Sequence, residues 1–350
     1  MSHRFPYKWT LKDATFTKDK GKVFSCFACG GGSTMGYKLA GFDVIGCNEI
    51  DPKMMEAYRV NHDPKYSFLE PIQTFKNRED LPPELYELDI LDGSPPCSSF
   101  SMAGNREKDW GKEKVFREGQ SMQVLDTLFF DFIDLAKKLQ PKVVIAENVK
   151  GLLLGNAKSY VIQICKAFDE AGYEVQHFLL DASKMGVPQR RERVFFIALR
   201  KDLCKGFMVQ KDMFTHKPDL KMVFKEKKIP FGNLQNALQR EPLSPPDMRH
   251  FDNANQSGRD RSGTNTFGFF YKCIKSLVCC TITTGGRYSI EDEPMRLNDS
   301  EFCNIGTFPE DYNFEDNRVQ YLIGMSVPPV MTAQIATEIH NQWLSKIQIN

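Results

Sequence analysis

The sequence predicts an α/β protein built on a doubly wound, mostly parallel sheet. Three observations carry that expectation. Apolar runs alternate with helical periodicity from residue 22 to residue 199, which is the pattern of repeated βαβ units. The first unit reads strand, glycine-rich turn, helix, strand, acid over residues 22–49. Two polar motifs, Gly93-Ser94-Pro95-Pro96-Cys97 and Glu147-Asn148-Val149, each follow directly on a buried apolar run. Open α/β sheets carry their sites at that end of their strands.

Residues 1–20 are polar with scattered aromatics and read as an arm laid over the domain. Lys22 to Ala28 forms a strand that runs into Cys29-Gly30-Gly31-Gly32-Ser33-Thr34-Met35-Gly36. Tyr37, Leu39 and Ala40 give a helix that Gly41 ends, and Phe42 to Asn48 gives a second strand closed by Glu49 and Asp51. Glycines admit a ligand close to the backbone, and an acid about twenty residues further on can bind ribose hydroxyls. The turn therefore points to an adenosine-bearing cofactor. Met54 to His62 reads as a helix, Phe68 to Ile72 as a strand that carries Glu70, and 76–84 as a surface loop.

Leu88, Ile90 and Leu91 end the next strand. Pro95 and Pro96 fix φ and offer no N–H, so Cys97 is held stiffly at the strand's edge. A lone cysteine is ordinarily core filler; the double proline and the polar turn argue for a displayed nucleophile. Residues 102–120 carry Gly104, Gly111, Gly119 and five Lys/Arg without apolar pattern, the texture of a functional loop. A helix over Val124–Leu139 stops at Pro141, and Val143–Ala146 is a buried strand. Glu147 at its end is costly there unless paired or functional. A helix over Lys158–Ala171 and a strand over Glu174–Leu180 follow. In Gly186–Arg193, alternation puts Gln189, Arg191 and Arg193 on one face of an extended segment that enters the strand Val194–Leu199.

The texture changes after Arg200. Residues 201–230 are basic with little pattern, Leu234–Leu238 suggests a short helix, and loops dominate 241–266. Phe267–Ile274 and Val278–Thr283 read as strands before the turn at Thr284-Gly285-Gly286. Patterned structure returns at Leu297 and ends in a helix over Met331–Trp343. The implied division is a catalytic and cofactor-binding domain over 1–200, a small loop-and-strand domain over 201–290, and a return to the first domain over 291–350. The middle segment holds 15 Lys/Arg and 8 Asp/Glu, a net of +7 on a chain of net +1, which leaves −6 for the remainder. That asymmetry predicts a local footprint for an acidic partner such as nucleic acid. Ten cysteines, no leader-like start and no bilayer-length apolar run predict free thiols in a reducing cytoplasm, away from membranes. Cys26-x-x-Cys29 has no second pair at zinc spacing, so no metal is expected.

In this order, the pieces resemble the cytosine-C5 DNA methyltransferases, over nearly the whole chain outside residues 201–275. The Pro-Pro-Cys turn is similar to the family's nucleophile motif, Glu147-Asn148-Val149 to its Glu-Asn-Val, and Gln189-x-Arg191-x-Arg193 to its Gln-x-Arg-x-Arg. Phe27-Ala28-x-x-Gly31-Gly32 resembles the cofactor turn and Thr281-Ile282-Thr283 the threonine element. Arg296-Leu297 to Phe308-Pro309 and Gly324-x-Ser326-Val327-Pro328 resemble the last two motifs. Departures occur at Ser25 and Cys29 for the usual Asp and first Gly, at Glu70 for an Asp, at Ser98 for a Gln, at Asn304 for an Arg and at Met325 for an Asn.

The resemblance implies a sheet of the class I methyltransferase type with a target-recognition domain. It implies S-adenosylmethionine as cofactor, contacted by Phe27, Ala28, Cys29, Gly30, Gly31, Gly32, Glu49, Ile50, Glu70, Pro71, Pro96, Met325, Ser326 and Val327. Cys97, Glu147, Arg191 and Arg193 are the implied catalytic residues. Ser98, Ser101, Gln189, Thr281 and Thr283 are the implied DNA contacts. Arg259 and Arg261 join them on the freedom of the Ser/Gly loop around them. Double-stranded DNA is the expected partner of a monomer encoded by a bacterium or phage, with room for a restriction endonuclease that acts separately. A nicotinamide-dependent dehydrogenase shares the glycine turn but leaves the Pro-Pro-Cys and Glu-Asn-Val motifs unused. The family's tRNA branch carries Cys-Phe-Thr, whereas Cys280-Thr281 lacks the Phe.

Overall fold

A computed structural model describes residues 3–96, 113–114, 123–124, 127–154, 158–210, 216–236, 238–257, 266–267 and 270–347. Cys97, Ser98, Ser101, Arg259 and Arg261 lie outside them, as does most of the 102–120 loop. The strands in chain order are β1 (Lys22–Cys26), β2 (Asp43–Glu49), β3 (Tyr66–Leu69), β4 (Ile90–Gly93), β5 (Glu113–Lys114), β6 (Gln123–Val124), β7 (Val143–Val149), β8 (Tyr173–Asp181), β9 (Glu192–Arg200), β10 (Met208–Gln210), β11 (His216–Pro218), β12 (Thr266–Phe267), β13 (Phe270–Cys273) and β14 (Arg287–Ile290). The helices are α1 (Gly32–Leu39), α2 (Pro52–His62), α3 (Ile72–Phe75), α4 (Leu128–Leu139), α5 (Lys158–Glu170), α6 (Pro245–Ser257), α7 (Asp299–Gly306), α8 (Val319–Met325) and α9 (Pro329–Gln342).

The principal sheet has the order β3-β2-β1-β4-β7-β9-β8. β1 to β4 and β7 are parallel, whereas β9 runs antiparallel to both neighbours. This is the mostly parallel α/β sheet that the sequence predicts. Both faces are covered, which is why its strands are continuously apolar rather than alternating. Successive residues serve opposite cores: Val144 and Ala146 of β7 join α4 and α5 on one face, and Val143 and Ile145 join α1 and α9 on the other. The arm at the N-terminus lies against the end of α7, where Trp9 Nε1 donates to the Thr307 carbonyl at 3.0 Å.

Differences from the sequence reading cluster after residue 200. The 241–266 segment contains the thirteen-residue α6. Pro245 and Pro246 read as loop residues, yet the first helical turn needs no N–H from them and suits their fixed φ. Ser244 and Asp247 close that helix start, with Ser244 Oγ 2.7 Å from the Asp247 carboxylate. Val278–Thr283 is not a strand; it is held by an isolated bridge between Cys279 and Gln189 and by side-chain bonds. The strand lies further on at β14, which pairs parallel to β13. A 3₁₀ turn at Phe231–Asn233 precedes the 234–238 segment, whose described residues form no helix. Near the start of the sheet, β3 spans Tyr66–Leu69 rather than 68–72, because Pro71 opens α3. No helix among the described residues is long and apolar enough to cross a membrane.

One buried acid is built into the middle of the sheet. Asp92 of β4 is 4% exposed, and Ser25 Oγ and Tyr37 OH donate to it at 2.9 and 3.0 Å. Ser25 stands where the resembled family has an Asp, so the carboxylate sits one strand over. Burial pushes the Asp92 carboxyl up to about 7 against the two hydroxyl donors, and the Glu147 charge adds to the rise. An unfolded Asp titrates near 3.9. The native state therefore holds this proton more tightly, and the stability this gives is fully present below about pH 4 and lost as pH rises through about 7. Between about pH 5 and about pH 8 the parent should lose stability relative to Asp92→Asn, read as urea midpoints. A difference that stays constant across that range would contradict the assignment.

Candidate active site

Because β1, β2, β4 and β7 are parallel, their C-terminal ends meet along one edge. β9 runs the other way and brings its first residues to the same edge, with Arg193 in register with Val149. There Arg193 Nε lies 2.9 Å from Glu147 Oε1, with side chains only 16% and 12% exposed. Burial lowers the Arg193 guanidinium's pKa, and Glu147 opposes the shift. The Pro95 turn adjoins this pair. Asn148 Nδ2 donates to the Pro95 carbonyl at 3.1 Å, and its Oδ1 accepts from the Val149 amide at 2.8 Å. One carboxamide thus ties the end of β7 to the turn that leads through half-buried Pro96 to Cys97. The Asn had drawn no role of its own from the sequence.

Arg191 is 3% exposed, and its guanidinium bonds to backbone carbonyls. Its Nη1 donates to the Ile282 carbonyl and its Nη2 to the Gly324 carbonyl, both at 3.1 Å. Its Nε is buried with no hydrogen-bond partner among the described residues. Desolvation, with Arg193 nearby, pushes the guanidinium down to about 9. Arg191 therefore joins β9 to the 281–283 segment and to the end of α8. Gln189 does not offer a free side chain to DNA. It is 1% exposed, and its carboxamide accepts from the Ile282 amide at 3.1 Å and donates to the Ile305 carbonyl at 3.4 Å. An extended segment with side chains on one face turns that face inward here. Thr281 Oγ1 donates to the Arg190 carbonyl at 2.5 Å, and the Thr283 amide donates to Tyr288 OH at 2.8 Å. Tyr288 OH donates in turn to the Thr281 carbonyl at 2.9 Å. Tyr288 thus braces the threonine element, and no motif announced it.

At the other end of the edge, Glu49 closes two loops. Its Oε2 accepts from the Cys29 amide at 2.6 Å, and its Oε1 accepts from Ile50 and Asp51 at 2.8 and 2.9 Å. Burial raises its carboxyl and these amides pull it back. Phe27 takes a positive φ of 51° and packs near Phe132. Ala28 is buried and donates to the Asn48 carbonyl at 3.3 Å. The glycines are needed for contacts within the chain. Gly31 has φ 85°, and a Cβ there would lie 2.0 Å from His62 Nε2; one on Gly32 would lie 2.5 Å from the Val327 carbonyl. Gly30 faces Leu322 in the same way. Ser326 and Val327 are buried beside this turn, whereas Met325 is 43% exposed at the end of α8. Glu70 follows β3, and its carboxylate is held by Arg78 at 3.1 Å; Pro71 caps α3.

Asn148→Ala should leave the buried Pro95 carbonyl without a donor, at about 1–3 kcal/mol. Urea unfolding should show that loss. An unchanged midpoint would mean that the turn does not depend on the carboxamide.

The chain was compared with known proteins. The description C-5 cytosine-specific DNA methylase matches residues 21–341. The type II methyltransferase M.Sau96I of Staphylococcus aureus is 31% identical over 331 residues, 87% of this chain and 72% of that protein. M.FnuDI of Fusobacterium nucleatum is 39% identical over 182 residues, 52% of this chain. The match spans about half of the length of M.FnuDI and of M.NgoPII of Neisseria gonorrhoeae, 48% and 49%. Among solved structures, Spodoptera frugiperda DNMT2 superposes with a TM-score of 0.62 at 19% identity, over 90% of this chain and 98% of that one. A protein described as a DNA modification methyltransferase encoded within an E. coli prophage gives 0.64 at 19% identity, over 92% and 99%. At that identity the likeness concerns the fold, and it is the fold found here. On the match across residues 21–341, the chain belongs to the C-5 cytosine-specific DNA methylase family.

Proposed function

We propose that this protein transfers a methyl group to C5 of a flipped cytosine in a specific sequence of double-stranded DNA, through a covalent bond between Cys97 and C6. The observation that carries this reading is the Glu147–Arg193 pair, 2.9 Å apart, on the sheet edge that also holds the Pro95 turn. Cytosine C5 is a weak nucleophile until a thiolate adds at C6 and makes C5 enamine-like. Cys97 makes that bond. Glu147 hydrogen-bonds N3 and N4 and offsets the charge that builds on the ring, while Arg193 holds O2. Arg191 keeps the wall behind them in place through the Ile282 and Gly324 carbonyls. Loss of the C5 proton to water and departure of Cys97 then restore the ring.

The residues at the other end of the edge fit an adenosine-bearing cofactor. Glu49 keeps lone pairs beyond those its three backbone amides use, and Phe27 offers a ring at the strand end. Bound S-adenosylmethionine supplies the methyl group as a sulfonium. Residues 201–290 serve as the target-recognition domain, with Arg259, Arg261, Thr281, Thr283, Ser98 and Ser101 toward the DNA. A polar cleft of about 680 Å³ in this part of the chain is lined by Arg287, Arg296 and Arg318 together with Glu241, Asp247 and Asp299, and Arg287 and Arg296 are paired with Asp247. Base flipping costs a few kcal/mol, which contacts to the DNA offset. The reading places a monomer with DNA in a bacterial or phage-infected cytoplasm, with any restriction endonuclease acting separately.

Duplex DNA carrying 5-fluorocytosine should trap a covalent adduct on Cys97, because fluorine does not leave as the proton does. Cys97→Ser should trap none and should abolish methylation while it still binds the cofactor. Methylation confined to tRNA, or full activity in Cys97→Ser, would overturn the reading. Glu49→Ala should weaken S-adenosylmethionine binding by roughly tenfold or more in calorimetry, about 1.4 kcal/mol. An unchanged affinity would move the cofactor away from β2.

A further inference from the structure

Three sulfurs meet at a point that methyl transfer does not use. The Sγ atoms of Cys273, Cys279 and Cys280 all lie within 4.8 Å of one another. Those of Cys273 and Cys279 are 3.4 Å apart, far beyond the roughly 2.05 Å of a disulfide. Cys273 ends β13 and the chain reverses through 274–278, so two sequence neighbours return to face it. A spacing of five residues followed by a Cys-Cys pair matches no zinc pattern of paired cysteines, which is why the sequence concealed the cluster.

We propose that Cys273, Cys279 and Cys280 form a binding site for a thiophilic divalent cation, with Zn²⁺ the first candidate. Zinc–sulfur bonds of about 2.3 Å put tetrahedral ligand sulfurs about 3.8 Å apart. The Cys273–Cys279 separation of 3.4 Å is close to that value and no pair exceeds 4.8 Å, so binding needs only side-chain shifts of about an ångström. All three sulfurs are buried, although Cys280 as a whole residue is only partly so. Three protein sulfurs leave the fourth tetrahedral position to water. Three thiolates and one Zn²⁺ carry a net negative charge, which a nearby cation must offset. Arg190 is the cation beside the cluster, with its own amide on the Cys279 carbonyl.

The site is structural, and it stands beside the catalytic wall. The Arg190 amide donates to the Cys279 carbonyl at 2.9 Å, and Ile282, two residues beyond Cys280, is the carbonyl that Arg191 holds. A bound cation therefore ties β13 to the segment that seats Arg191, whatever reaction that wall serves.

The test uses the full chain, stripped of metal and reduced. Cd²⁺ should raise a thiolate-to-metal charge-transfer band that saturates at one equivalent. Zn²⁺ affinity is read by competition with a chromophoric chelator. Cys280→Ser and Cys273→Ser should each lower it by more than the 10–100-fold that loss of an outer-shell partner costs. Cys165→Ser, on α5, should leave it unchanged. Zn²⁺ should raise the thermal midpoint of the parent but not of Cys280→Ser. No charge-transfer band would overturn the proposal. So would a band that survives in Cys280→Ser, or one that is lost in Cys29→Ser instead.

Discussion

A buried guanidinium holds this edge of the molecule together. Arg191 leaves water to bind two backbone carbonyls, one after the threonine element and one at the end of α8. Taking a cation out of water is expensive, and two neutral carbonyls repay only part of that cost. The Glu147 charge partly offsets that cost; it also holds Arg193 and adds to the rise that burial gives Asp92. A single carboxylate therefore acts on both arginines and on the acid in the next strand. Its position is fixed by the antiparallel pairing of β9 with β7, because a parallel β9 would deliver its C-terminus to the edge instead.

The first two hundred residues were readable because both faces of the sheet are buried. Continuous apolar runs, a glycine turn and a proline pair then mark strands and their ends directly, and the order of motifs led to the family. Asn148 and Tyr288 were not readable as ties, since a carboxamide or a phenol shows its partner only after folding. Alternation puts Gln189, Arg191 and Arg193 on one face, but it does not say whether that face meets solvent or protein. The glycines were expected for a reason that the contacts change: His62 and the Val327 carbonyl occupy the space that their missing side chains leave. After residue 200, short elements and proline-led helix starts carry little periodic signal. Pro245 and Pro246 are loop residues by composition and helix residues by position.

Packing of α9 has a consequence for the order in which the molecule can be made. Its residues Val330, Met331, Ile335 and Ile339 fill the core on one whole face of the sheet, against Val23, Ile90, Val143 and Ile197. Gly36 of α1 is close enough that a Cβ would lie 2.3 Å from the Pro329 carbonyl. During synthesis at roughly 5–20 residues per second, the strands of that sheet leave the ribosome many seconds before the helix that covers them. Until residues 329–342 emerge, the nascent sheet presents an apolar face to solvent and to other chains. Such long-range closure is slow and exposed to aggregation.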